Sequence, residues 1–187
     1  MSAILELSEV RDRVTRLPVE DYHRLVELGV YGKGVELIRG IVINKISKSP
    51  LHGSISKRLY DFFLPILPAG FTVRREDPLA LADSAPEPDI AIVRGTPQDY
   101  WHQHPATAEL VIEVAVTSAE LDREMAAIYA EAGVKEYWIV LPARREVEIR
   151  RTPQDGVYRE QFTARGDEVI ECASVAAIRL PLDELFA

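Results

Sequence analysis

The sequence predicts an α/β fold of mixed α+β character, in which helices flank buried strands and an antiparallel meander follows. Two short runs rich in Val and Ile, at residues 90–93 and 110–116, are typical of strands that are covered on both faces. Segments with apolar residues at helical spacing lie around these runs. After residue 142 apolar and polar residues alternate, which favours antiparallel strands with one face in water.

Length and composition predict one soluble domain that spans residues 1–187. At 187 residues with 47% hydrophobic side chains, the chain is long enough to bury a sizeable core. No apolar run approaches the roughly 20 residues that a membrane span requires, and the first residues lack the pattern of a secretory signal. The single cysteine, Cys172, excludes an internal disulfide framework. We therefore expect a cytoplasmic protein with no membrane association.

The charge balance weakens the case for a protein that binds nucleic acid through bulk charge. The chain has 22 basic and 30 acidic residues, a net charge of -8, whereas phosphate contacts by Lys and Arg dominate nucleic-acid affinity. A net negative charge still allows local basic patches on the surface, and a bound metal ion would add positive charge of its own.

The first half of the chain predicts two helices and several strands. Residues 1–16 indicate a weak helix or an arm. Pro18 precedes a helix over 19–28, which Gly29 ends, and Arg39-Gly40 is the turn of a hairpin over 35–47. Pro50 and His52-Gly53 interrupt the pattern before a second helix, from about Ser54 to Leu67. Residues 71–76 and 78–83 are strand-like.

The second half predicts a buried strand at 90–93, a polar loop or short helix at 96–107 and a second buried strand at 110–116. Thr117 and Glu120 have the spacing of a capping box and start a helix that runs to Ala132. Another buried strand covers 136–141. Residues 142–187 then form the added β-structure of the meander.

The two apolar runs before this helix each carry one carboxylate: Asp89 opens the run at 90–93, and Glu113 lies inside the run at 110–116. A buried charge needs a partner, a cation or a proton to replace its lost hydration, so two such acids on neighbouring strands could bind a divalent cation. Alternatively, Asp89 ends its strand with its side chain in water, and Glu113 pairs with an arginine. Periodicity alone leaves both interpretations open.

The order of the motifs resembles the PD-(D/E)xK nuclease superfamily, in particular its Uma-type branch of putative restriction endonucleases. The resemblance extends from residue 17 to about residue 150. The matching segments are ELIRG at 36–40, HG at 52–53, PEPDIAIV at 86–93, IEV at 112–114, YAEAGVKEYWIV at 129–140 and VEIRR at 147–151. The resemblance implies a restriction-endonuclease-like fold, with a four-stranded mixed central sheet flanked by helices.

The resemblance also implies a site and an activity. Asp89 and Glu113 would hold Mg²⁺ or Mn²⁺ as catalytic acids, and Glu36 would join them as a third metal ligand. His52 would support catalysis near the site, or would only fill a helix N-terminus as a polar residue. The implied activity is hydrolysis of DNA phosphodiester bonds by an endonuclease, and a homodimer is expected because such enzymes often pair to act on both strands.

The chain departs from the family where the chemistry requires a lysine. The usual position, two residues after the second acid, is Ala115, and the alternative position on the following helix is Met125. Arg123 would point away from that helix face. Loss of such a group typically costs about 10²–10⁴-fold in rate, so we expect weakened catalysis. The alternative is an inactive nuclease-fold module that binds nucleic acid or a protein.

Overall fold

The computed structural model describes residues 7–11, 13–32 and 34–187, and a six-stranded mixed sheet lies at its centre. The strands occur in the order β3-β4-β5-β6-β7-β8, and only β5 and β6 run parallel. Their bounds are β3 Phe71–Arg74, β4 Ile90–Arg94, β5 Leu110–Val114, β6 Glu136–Leu141, β7 Glu146–Gln154 and β8 Val157–Arg165. The predicted mixed sheet is confirmed, with β7 and β8 extending it on one side.

Helices cover both faces of this sheet. Because successive strand residues point to opposite faces, β4 sends Ile90 and Ile92 to one core and Ala91 and Val93 to another. The first core includes residues of α3 (Pro50–Phe63) and of the C-terminal segment, and the second includes residues of α4 (Ala119–Glu131). The run at 90–93 is therefore fully buried, and the run at 110–116 is buried except for the half-buried Glu113 and Val116.

Helix α3 begins four residues before its predicted start. Ser49 is its N-cap, its side chain accepts a hydrogen bond from the His52 amide at 3.2 Å, and Pro50 occupies the first turn. Proline is well suited to this position because the amide that it lacks would have no helical partner there. The prediction that Pro50 and His52-Gly53 precede the helix was wrong, since they form its first turn.

Helix α4 agrees closely with its prediction, although its cap differs. Ser118, and not Thr117, is the N-cap residue, and the Ser118 hydroxyl donates to Asp122 at 2.6 Å. Met125, Ile128 and Tyr129 face the core and are buried, whereas Leu121 is 42% exposed. The predicted strand at 136–141 is also confirmed as β6, which is buried along its whole length.

An N-terminal layer lies beside the sheet. It contains α1 (Ser8–Arg11), α2 (Val19–Glu27) and the predicted hairpin of β1 (Val35–Ile38) and β2 (Ile41–Asn44). Arg39 and Gly40 form the hairpin turn with positive φ angles, and a Cβ at residue 40 would lie 2.7 Å from the Arg16 Cβ. Glycine is therefore required there by both space and backbone conformation.

The C-terminal region divides into two parts. The predicted antiparallel meander starts as β7 and β8 of the central sheet, and then continues as a separate pair, β9 (Val169–Glu171) and β10 (Arg179–Pro181). The short helix α5 (Leu182–Leu185) follows. The strand-like segment 78–83 contains no strand, although Leu79 and Leu81 are buried. No helix in the described part of the chain is long and apolar enough to cross a membrane.

Candidate functional site

Asp89 and Glu113 lie side by side at the edge of the sheet where β4 begins and β5 ends. Ile90 pairs with Ile112 in the antiparallel register, so the preceding Asp89 lies next to Glu113. The Asp89 amide donates to Glu113 Oε2 at 3.1 Å, and the Val114 amide donates to Asp89 Oδ2 at 2.8 Å. The two carboxylates therefore accept the backbone hydrogen bonds that would otherwise continue the ladder. The structure brings these two predicted residues together.

Asp89 contacts two side chains from one neighbouring segment. Lys48 Nζ donates to Asp89 Oδ1 at 2.8 Å, and His52 Nε2 lies 2.7 Å from the same oxygen. The Asp89 side chain is only 4% exposed. Burial favours a higher pKa for Asp89, but the hydrogen bond with His52 and the Lys48 ammonium outweigh it and lower the pKa below its ordinary value. Asp89 is therefore ionised at neutral pH and paired with Lys48, so its side chain does not end in water as the alternative expected.

Glu113 is held differently. Its Oε1 accepts a hydrogen bond from the Tyr129 hydroxyl of α4 at 2.9 Å, and no arginine pairs with it among the described contacts. Burial raises the pKa of Glu113 well above its usual range, and the neighbouring Asp89 and Asp122 raise it further. Glu113 therefore favours a proton unless a positive charge comes near.

Glu36 faces the same cavity from the hairpin. Its Oε2 accepts a hydrogen bond from the Glu87 amide at 3.4 Å, and Glu87 in turn pairs with Lys45. Burial raises the pKa of Glu36. The cavity has a volume of about 790 Å³, and its lining includes all four predicted site residues: Glu36, His52, Asp89 and Glu113.

Sequence reasoning missed other polar residues of the cavity, Lys48 and Asp122 among them. Lys48 lies in the loop between β2 and α3, 41 residues before Asp89, and no periodic pattern connects the two. Asp122 lies on α4, and burial, with Asp89 nearby, raises its pKa to about 6. Asp122 precedes Met125 by three residues and Tyr129 by seven, so its helical spacing could have placed it on the face towards the site.

Neither residue at the expected lysine positions can supply a charge. Ala115 and Met125 are 5% and 7% exposed and belong to the apolar core beside α4, although Met125 also borders the cavity. Arg123 points away, as predicted, and its guanidinium donates to Glu148 of β7 at 3.1 Å.

The donor chemistry of the cavity fits a hard divalent cation. Carboxylate oxygens are the ligands that such ions prefer, and a second positive charge would offset the burial and repulsion that raise the pKa values of Glu113 and Glu36. Within residues 7–11, 13–32 and 34–187, however, no three acidic, histidine or cysteine side chains are already arranged as a metal-binding set. Side chains, Lys48 among them, would have to shift to admit the ion.

Comparisons with known proteins agree with this fold. Residues 19–183 match the model of the Uma2 family, described as putative restriction endonuclease. A crystal structure of a putative nuclease belonging to DUF820 from Anabaena variabilis ATCC 29413 is similar in fold, with a TM-score of 0.71 at 16% sequence identity, over 91% of this chain and 97% of that one. The comparison with curated proteins gives no match. Because the family model matches most of the sequence, the chain belongs to the Uma2 family of putative restriction endonucleases.

Proposed function

We propose that this protein is a divalent-cation-dependent endonuclease that hydrolyses DNA phosphodiester bonds in the cavity around Asp89. The observation that carries the proposal is the adjacency of Asp89 and Glu113 at the ends of two neighbouring strands, with Glu36 and His52 lining the same cavity. Family membership supports a nuclease. The cation, its identity as Mg²⁺ or Mn²⁺, and DNA as the substrate belong to the proposal.

Each residue has a proposed role. Asp89 and Glu113 would hold the cation, with Glu36 as a further acid, and His52 would hold Asp89 in position through their 2.7 Å contact. When bound, the cation would stabilise charge on the phosphate and lower the pKa of a water molecule. In the reaction a water oxygen bonds to phosphorus, one phosphorus–oxygen ester bond breaks, and the released oxygen takes up a proton.

The first test is cleavage of supercoiled plasmid with Mg²⁺ or Mn²⁺ by the wild-type protein and by Asp89→Asn. We expect the variant to lose about 10²-fold or more in rate, since it removes the ionised carboxylate. Asp61→Asn, at an exposed position on α3, is the matched control and should cut like the wild type. Equal nicking by Asp89→Asn would refute the proposal and indicate a contaminating nuclease.

A second candidate function is a nuclease-fold protein that binds nucleic acid or a protein without cutting. The burial of Ala115 and Met125 among apolar side chains favours it. Met125→Lys distinguishes the two candidates, because an inactive wild type that gains cleavage with this substitution would support a binding module. Efficient cleavage by the wild-type chain would exclude that module.

Two further features belong to the same proposal. A homodimer would allow two sites to act on the two strands of a duplex, and analytical ultracentrifugation together with the ratio of linear to nicked product tests it. A reducing cytoplasm suits a chain whose one cysteine, Cys172, is buried.

A further inference from the structure

The cavity around Asp89 contains more acidic than basic side chains. In the described chain its acids are Glu36, Glu76, Glu87, Asp89, Glu113 and Asp122, and its cations are Lys45, Lys48 and Arg75, with His52 beside them. A phosphodiester entering such a cavity is repelled unless positive charge lies close to the reacting phosphate. The position of each cation therefore decides which of them can serve the reaction.

Only Lys48 among these cations contacts Asp89. Lys45 pairs with Glu87, and Arg75 donates to Ser56 at 3.2 Å and pairs with Glu76 at 3.3 Å. Lys48 Nζ instead lies 2.8 Å from Asp89 Oδ1, and its side chain remains 35% exposed. Its ammonium group is therefore both near the paired acids and open to the cavity.

The same ammonium group has a second partner. Lys48 Nζ lies 3.3 Å from Glu76 Oε1, and the Glu76 side chain is 40% exposed. A long, flexible lysine side chain between two acids can shift towards one of them while its ammonium group keeps a carboxylate partner. Lys48 could therefore move from Asp89 and still place its charge inside the cavity.

We propose that Lys48 is the catalytic lysine of this protein, supplying from the β2–α3 loop the positive charge that Ala115 and Met125 do not. This inference rests on the proposed nuclease function. Lys48 would act through its permanent positive charge, which stabilises charge on the phosphate, because an ammonium group paired with two carboxylates is a poor proton acceptor. Lys48 would take the place of a lysine that would otherwise come from β5 or α4.

The activity test compares Lys48→Met with the wild type in single-turnover cleavage of a short DNA duplex. We expect the cleavage rate to fall by about 10²-fold or more, while circular dichroism and duplex binding stay close to those of the wild type. Lys57→Met is the matched control, since Lys57 is 63% exposed on α3 and pairs with Asp61 outside the cavity. Its rate should not change.

Two variants separate charge from other roles of the side chain. Lys48→Arg retains a cation and should keep more activity than Lys48→Met. The double variant Lys48→Met with Met125→Lys returns a cation to the other wall of the cavity and should recover part of the lost rate. Failure of both to exceed Lys48→Met would overturn the proposed role of the charge.

Metal binding gives a readout that does not depend on cleavage. Because a cation 2.8 Å from Asp89 opposes a second cation there, Lys48→Met should bind Mn²⁺ more tightly, by about tenfold or more. Titration of Mn²⁺ without DNA measures this affinity. A variant that merely disturbed the structure would bind Mn²⁺ more weakly.

The outcomes distinguish the two proposals. If the wild type cuts in an Asp89-dependent manner and Lys48→Met cuts equally well, the lysine proposal is wrong and the nuclease proposal stands. If the wild type shows no Asp89-dependent cleavage, the proposed function fails, and the catalytic role of Lys48 fails with it. Slower cleavage by Lys48→Met together with its tighter binding of Mn²⁺ supports both the nuclease proposal and the lysine proposal.

Discussion

Asp122 is a buried acid whose environment opposes its charge. Burial raises its pKa to about 6 from an ordinary value of 3.8, and nearby Asp89 acts in the same direction, whereas the Ser118 hydroxyl, His52 and Arg123 act against it. Between these two pH values the folded chain holds a proton that the unfolded chain releases. The protonated group therefore stabilises the fold fully below about pH 3.8, and this contribution is lost as the pH rises past about 6.

Replacing Asp122 by Asn should remove this pH dependence. In the absence of metal, we expect Asp122→Asn to raise the free energy of unfolding by about 1–3 kcal/mol near pH 8 and to change it little near pH 4. Urea unfolding at the two pH values measures the difference. An equal increase in the free energy of unfolding at both pH values would show that the charge of Asp122 does not cause the increase.

At the residue scale, sequence patterns could predict the paired acids but not their partners. Asp89 opens one apolar run and Glu113 interrupts another, and neighbouring strands bring such residues together. The contact between Lys48 and Asp89 joins residues 41 positions apart through a loop whose course depends on the packing of the whole N-terminal layer. The path of this loop therefore cannot be predicted from the local sequence.

The first turn of α3 connects helix formation to the site. Ser49 caps the helix, Pro50 starts it, and His52 in the same turn reaches Asp89. The sequence contains these start signals, yet Gly53 and the proline were interpreted as breakers because both residues are unfavourable in a helix interior. Both residues are tolerated in α3 because they lie in its first turn, so their position within the helix matters more than their residue type.

Ser49→Ala should therefore destabilise the protein by about 1 kcal/mol, since the His52 amide would lose its acceptor. Urea unfolding monitored by circular dichroism measures this change. The control is Ser54→Ala, at an exposed position inside the same helix, which should change the unfolding free energy by less than about 0.5 kcal/mol. Equal effects would show that the cap contributes nothing specific.

At the scale of the whole molecule, the C-terminal segment completes one face of the central sheet. Ile178, Leu180, Leu182 and Leu185 belong to the same core as α3 and Trp138. Arg58 of α3 donates to the carbonyl oxygens of Glu184, Leu185 and Ala187, which fixes the end of the chain against the helix. The sequence predicted added β-structure here, but its alternation could not show that β7 and β8 extend the central sheet while β9 and β10 pair separately.

Leu182→Ala tests this contribution. Because Leu182 is fully buried, we expect the substitution to lower the free energy of unfolding by about 2–5 kcal/mol. Leu64→Ala, where the leucine is 56% exposed, should change it by less than about 1 kcal/mol. Similar values for both variants would mean that the C-terminal segment is not an integral part of this core.

The two hydrogen bonds between Asp89 and the β5 end have a consequence for every experiment at this site. Each carboxyl group accepts a hydrogen bond from a main-chain amide at the adjoining strand end, so the oxygen atoms proposed to bind a cation also fix the local shape of the sheet. Truncating either acid to alanine would remove the carboxyl group and its hydrogen bond to the backbone at once. An inactive variant could then not be distinguished from a locally unfolded one. Only amide substitutions, which retain an oxygen for those N–H groups, can separate the loss of charge from the loss of shape.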